Sequence, residues 1–327
     1  MTVVSRRRRR GGEQPMVPEA EFTSYYGRPV VKPTPWGPAI PAYMFFGGVA
    51  AGSAVLGAGA DLTRRLALRR VGRLGALGAI TLGFVALVDD LGRPTRFGNM
   101  LRVAKPTSPM SMGTWILTVF GPSAGLAGAA ELRHLLPRRL DWLARLLGTS
   151  ARPAGIASAV TAPGIATYTA VLLADTATPA WHEARLGLPF VFAGSAGSAS
   201  GGLGMLATPL AEAGPARRMA LGGAVLELAA QRRMEAGMGL AAEPLRQGRA
   251  GALMRTGKAL TLAGTAGTLV ASRHRQLAMA AGAALLAGSA LARFAIFEAG
   301  QASARDPKYT VVPQRERLDQ EQAHRVG

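Results

Sequence analysis

Ionisable side chains within apolar sequence are costly to bury, so they mark where chemistry can occur. The densest set is Asp89-Asp90-Leu91-Gly92-Arg93-Pro94-Thr95-Arg96-Phe97, two carboxylates and two arginines on a stretch whose Gly and Pro favour a tight turn. Such a cluster serves either as a charged cap on a helix end or as a polar pocket for the head of an amphipathic ligand. Three further acids, Asp61, Glu131 and Glu227, stand at the ends of apolar runs or within one. Glu227 has the fewest routes to water and suits proton handling or an internal ion pair. Asp61 and Glu131 suit a proton path or plain interfacial placement, with Thr63 and nearby arginines as partners. His134, His182, His274 and His324 fall at helix ends, in loops or in a tail, which argues against a bis-histidine haem inside a bilayer. With no Cys, the chain supplies no disulfide, thiolate zinc site or Fe–S ligand. No metal site is expected.

The elements that position these residues show where charge is missing. A membrane-crossing helix needs about 17–25 predominantly apolar residues. Uncharged runs of that order cover 39–60, 107–130, 153–174, 186–211 and 276–292. Weaker apolar segments at 74–88, 219–231 and 253–272 fill the gaps, the last two interrupted by Glu227 and by Arg255 with Lys258. The expected fold is all-α: a polytopic membrane protein of eight transmembrane helices arranged as two four-helix bundles. Gly and Ala crowd these segments, and small residues let helix backbones approach where lipid offers no hydrophobic drive. Three parts follow: a disordered or partner-binding tail over 1–38, a transmembrane domain over 39–298 and a C-terminal tail over 299–327. The Arg6–Arg10 run has no apolar stretch close behind it, so it is read as part of a solvated, disordered tail, not a secretion signal.

Composition is then less paradoxical. Of 327 residues 49% are hydrophobic and only 17% charged, yet the net charge is +19. That excess sits in loops and tails bounding the apolar segments, where anionic lipid, and no nucleic acid, is the expected counter-charge. Eight crossings put both termini on a first face, with the loops 89–106, 175–185 and 232–252. The second face carries 61–73, 131–152, 212–218 and 273–275. Arginine and lysine divide almost equally between the faces, so charge bias does not orient the chain.

Several strings in order resemble the NrfD/PsrC-like family, the membrane subunits of polysulfide-reductase-type enzymes. They are Trp36 with Tyr43–Gly52, Asp90–Pro94 leading to Ser108–Trp115, Tyr168–Leu173 with Thr178–His182, and Phe297–Gly300 with Ser303–Pro307. The resemblance spans roughly 36–317. The segment Gln14–Lys32, with Tyr25-Tyr26-Gly27-Arg28-Pro29, resembles relatives found beside formate-dehydrogenase-like subunits in actinobacteria.

The resemblance implies a cell-membrane subunit without haem or metal that passes electrons between menaquinol or menaquinone and an Fe–S subunit, itself joined to a molybdopterin catalytic subunit. It places a quinone pocket in the first bundle near the first face, with Tyr168 as the matched helix-four tyrosine. Arg93, Arg96 and Trp181 join it as pocket candidates, and Asp90 or His182 as the proton acceptor. A secondary transporter is the rival reading, supported by two four-helix halves and Glu227 but by no internal repeat. A pure anchor without a quinone site is the third.

Overall fold

A helix in lipid satisfies its own backbone, so each charge-free run has one stable form available. The computed structural model describes residues 29–326, leaving aside the side chains at 94, 96, 97 and 321–326. The Arg6–Arg10 tail and the formate-dehydrogenase-like string up to residue 28 lie outside the described residues.

The chain forms α1 (Ala39–Leu62), α2 (Leu66–Asp90), α3 (Pro109–Glu131), α4 (Asp141–Ala174), a five-residue α5 (Pro179–Glu183), α6 (Leu188–Ala207), α7 (Gly214–Gly237), α8 (Gly248–Val270), α9 (Arg275–Arg305) and α10 (Lys308–Val326). Short 3-10 segments run over Pro94–Arg102 and Gly239–Leu245. Apart from α5 and α10, the helices are 20 to 34 residues long. By length and composition, five helical stretches are able to cross a membrane: Ala39–Leu62, Leu66–Asp90, Arg138–Ala174, Leu188–Ala207 and Arg275–Arg305. The protein is an all-helical, multi-pass membrane protein.

Local chemistry explains several ends. Pro109 occupies the first turn of α3, where its missing N–H costs nothing, and the Ser108 side chain accepts from the Ser111 N–H. Arg64 takes a left-handed φ of 57°, turning α1 into α2 with almost no loop. Two elements differ from expectation. α4 begins at Asp141, twelve residues before its uncharged run, because arginines at its start can reach the interface while their stems stay apolar. The C-terminal tail, expected to be plain polar sequence, is helical over Lys308–Val326.

Helices α1–α4 pack as one group and α6–α9 as another, with α1 and α6 the main contact between them. The second group is knitted by glycine. A Cβ at Gly223 would lie 2.3 Å from the Ser198 nitrogen, and one at Gly201 2.4 Å from the Ala220 nitrogen. Here α6 and α7 meet backbone to backbone, as small residues permit. Exposed apolar side chains such as Val160, Val85 and Phe190 form the outward surface.

Candidate functional site

The first group is not filled to its end. Near the first face a cavity of about 480 Å³ opens between α1, α2, α3 and α4. Its wall is largely apolar, with Met44, Phe84, Leu87, Leu117 and Leu172 prominent and Trp36 and Met100 at the loop end. Polar groups are few, as in most small-molecule sites. The Tyr43 and Tyr168 hydroxyls hydrogen-bond to each other across 125 residues of sequence. Asp90 lies at the end of α2, half-buried, where its carboxylate accepts the Gly37 N–H at 3.3 Å.

Depth explains the tyrosine pair. Tyr43 is four residues inside the start of α1 and Tyr168 six before the end of α4, so both side chains start roughly 6–9 Å along their helices from the same face. Gly113 sets the position of the Tyr168 ring, since a Cβ there would lie 2.2 Å from Cδ2. Pro122 also lines the cavity. Lacking an N–H, it leaves the Thr118 carbonyl without its usual helical partner on that wall.

The predicted site residues divide. Tyr168 and Asp90 line the cavity. Arg93 does not: it is exposed beyond a turn in which Gly92 has a φ of 63°, which carries the chain outward. Arg96 falls on the Pro94–Arg102 segment, and its side chain lies outside the described residues. Trp181 is core, not wall. Its ring stacks on Trp36 with centroids 5.9 Å apart, its Nε1 donates to the Ile296 carbonyl at 2.8 Å, and Gly300 makes room for it. His182 is exposed, its Nδ1 3.3 Å from the Ala174 carbonyl, in a separate groove shared with Tyr309 and Glu183.

Asp61 and Glu131 meet at the opposite end of the first group. Glu131 accepts from Arg69 and Arg73, each at 2.9 Å, and Asp61 pairs with the same two arginines and with Arg152. Glu227 is buried in the second group, hydrogen-bonded to Ser195 and within the field of Arg293. Arg293 donates to the Phe192 carbonyl at 2.8 Å and lies 3.5 Å over the Phe192 ring. Its Nε and Nη1 and the Glu227 Oε2 have no partner. Among the described residues, no three His, Cys, Asp or Glu gather as a metal site.

Sequence reasoning missed Tyr43, although it falls within Tyr43–Gly52, one of the strings that carry the resemblance. The signal lay in its depth: it is the one phenol in the first apolar run, level with Tyr168. Gly113 carried no signal, since only the packed ring explains it.

Comparison with known proteins follows the same division. No curated protein matches the chain. The family model described as "Polysulphide reductase, NrfD" matches residues 30–218, more than half of the chain. Subunits of this family are membrane components of quinone-linked oxidoreductase complexes, interact with quinones, and typically partner Fe–S and molybdopterin subunits. Every residue of the cavity wall falls within the matched segment. With its helices, its cavity and that match in agreement, the chain belongs to the NrfD polysulphide reductase family of integral membrane subunits.

Proposed function

We propose that the cavity of the first group is a quinone site, and that the chain passes electrons between menaquinol or menaquinone and an Fe–S subunit docked on the first face. The observation that carries this reading is the apolar cavity with the Tyr43–Tyr168 hydroxyl pair in its wall. The chemistry fits the ligand: a quinone has an apolar ring and chain, and two oxygens that need hydrogen-bond partners. A phenol can donate to a carbonyl or accept from a hydroxyl, so the pair serves either oxidation state. Oxidising a quinol releases two electrons and two protons. Asp90, at the cavity mouth, is the group that takes both protons outward, one after the other, as the electrons leave singly to the Fe–S subunit, and His182 faces a different groove.

The wider arrangement follows the same reading. Eight helices cross the bilayer over 39–298; in α7 Glu227 is buried, Lys258 of α8 pairs with Glu235 of α7 at 2.6 Å, and the other charges of these two helices lie within about two turns of a helix end. A molybdopterin subunit, of the formate-dehydrogenase-like kind, completes the complex beyond the Fe–S subunit. Arg93 and Arg96 belong to the docking side, and the tail over 1–38 to partner binding.

The test uses the purified complex. Tyr168→Phe and Tyr43→Phe are expected to lower quinone-linked turnover about tenfold to a hundredfold while sparing activity with an artificial dye. Quinone turnover unchanged in both variants removes the site from this cavity. Asp90→Asn is expected to slow turnover without weakening quinone binding.

A further inference from the structure

A second cavity, of about 940 Å³, lies on the opposite face, where α1 and α3 end, α2 begins and the first turns of α4 pass. Its chemistry is the reverse of the first. Arg64, Arg69, Arg70, Arg73, Arg133 and Arg152 line it against only two carboxylates, Asp61 and Glu131, leaving an excess of four positive charges. Both carboxylates are already shared among Arg69, Arg73 and Arg152. Arg73 is 5% exposed, and its Nε is buried without an acceptor. Arg64, Arg70 and Arg133 have no carboxylate partner among the described residues. A net excess of four positive charges in one partly enclosed cavity is self-repelling, and an anion drawn into it lowers that energy.

The groups and their place narrow the anion. Guanidinium forks match the oxygens of a phosphate and can hold it in bidentate fashion. The mouth is flanked by Leu62 and Leu66, which line the cavity and are 59% and 61% exposed. Cationic floor and apolar rim together suit a phosphate that carries acyl chains. We infer that this cavity holds the phosphate of an anionic glycerophospholipid, seated between α1, α2, α3 and α4 with its chains running down beside Leu62 and Leu66. Basic pockets between helices at a membrane face take headgroups of this kind. The site is separate from the proposed quinone cavity and stands whether or not quinone binds there.

The experiment titrates the delipidated full chain in uncharged detergent with phosphatidylglycerol, phosphatidylcholine or inorganic phosphate, counting bound ligand by native mass spectrometry. Phosphatidylglycerol is expected to bind well ahead of phosphatidylcholine. The R64Q/R70Q/R133Q variant, which leaves the paired arginines intact, is expected to lose about a hundredfold in phosphatidylglycerol affinity, roughly fivefold per arginine. R138Q/R139Q/R217Q removes three charges from the same face outside the cavity and is expected to change little. R64K/R70K/R133K retains the charge and is expected to keep the preference for phosphatidylglycerol, which keeps the test decisive if the glutamine variant fails to fold. Three results overturn the inference: equal binding of the two lipids, equal losses in the two glutamine variants, or inorganic phosphate displacing phosphatidylglycerol at comparable concentration. The last assigns the cavity to a free anion.

Discussion

The two helix groups solve one problem in opposite ways. In α6–α9, glycine and alanine bring backbones together until a single methyl has no room, and the polar side chains inside, Glu227 and Arg293 among them, are shut away from solvent. In α1–α4, larger side chains hold the helices apart near the first face, and the space between them becomes a cavity. Close packing gives van der Waals contact but excludes a ligand. The first group gives up some of that contact, which is what a binding site in a membrane requires. The second group is therefore the rigid partner against which the first can carry its opening.

Perturbing the sealed half should produce the largest effect. Arg293→Met leaves Glu227 buried without its cation and is expected to cost about 3–5 kcal/mol, read from denaturation of the full chain in detergent. Glu227→Leu added to it should recover part of the loss, because both polar partners are then gone. A change below about 1 kcal/mol means that the pair is not what closes the second group. Next in size is Gly223→Leu, expected to cost about 1–3 kcal/mol or to abolish folded chain, as a side chain is forced into the Ser198 backbone. The matching enlargement in the other half, Thr118→Leu on the cavity wall, should cost less than about 1 kcal/mol and act on quinone-linked turnover instead. Equal destabilisation by the two enlargements erases the contrast.

The smallest effect belongs to neither half. Lys308 and Tyr309 tie α10 to the Gly239–Leu245 segment through Glu243, with Lys308 Nζ 2.8 Å and the Tyr309 hydroxyl 3.3 Å from its carboxylate. The hydrogen bond from Lys308 holds the Glu243 carboxyl below its usual 4.5, and Glu243 in turn raises Lys308 above its usual 10.5. A lowered acid stabilises above its usual value and loses that as pH falls through the lowered one. A raised base stabilises below its usual value and loses that as pH rises through the raised one. The tether is thus constant from about pH 5 to pH 10 and loosens outside that window. Lys308→Ala should raise hydrogen exchange in α10 across the window and remove its acid dependence. Both side chains keep contact with water, 41% of Lys308 and 27% of Glu243 being exposed, so thermal stability should hardly move.

Helix positions were legible because lipid and charge exclude each other: a long helix covers most of each long uncharged run, with 186–211 overrunning α6 at both ends. Helix lengths were less so. α7 extends several residues past both ends of its apolar segment and α8 past the start of its own, since Arg217, Arg218 and Arg249 there need only reach the interface. In the cavity, Asp90 was readable from the charged cluster at the end of an apolar run, and Tyr168 only through the family resemblance. Arg93 was misplaced because one left-handed glycine decides which way the next side chain leaves the turn. Trp181 and His182 are neighbours in sequence, yet one is core and the other exposed, a distinction set by α9 more than a hundred residues away.

The stack of Trp36 on Trp181, with Phe297 5.7 Å beyond, draws on the stretch before α1, on α5 and on α9. Gln301 fastens the same place by donating to Thr34 at 2.8 Å. Trp36 is also part of the cavity wall. A partner resting on this face accordingly touches a keystone common to both halves. Pressure there has a short mechanical route to the mouth of the cavity, through two stacked indoles.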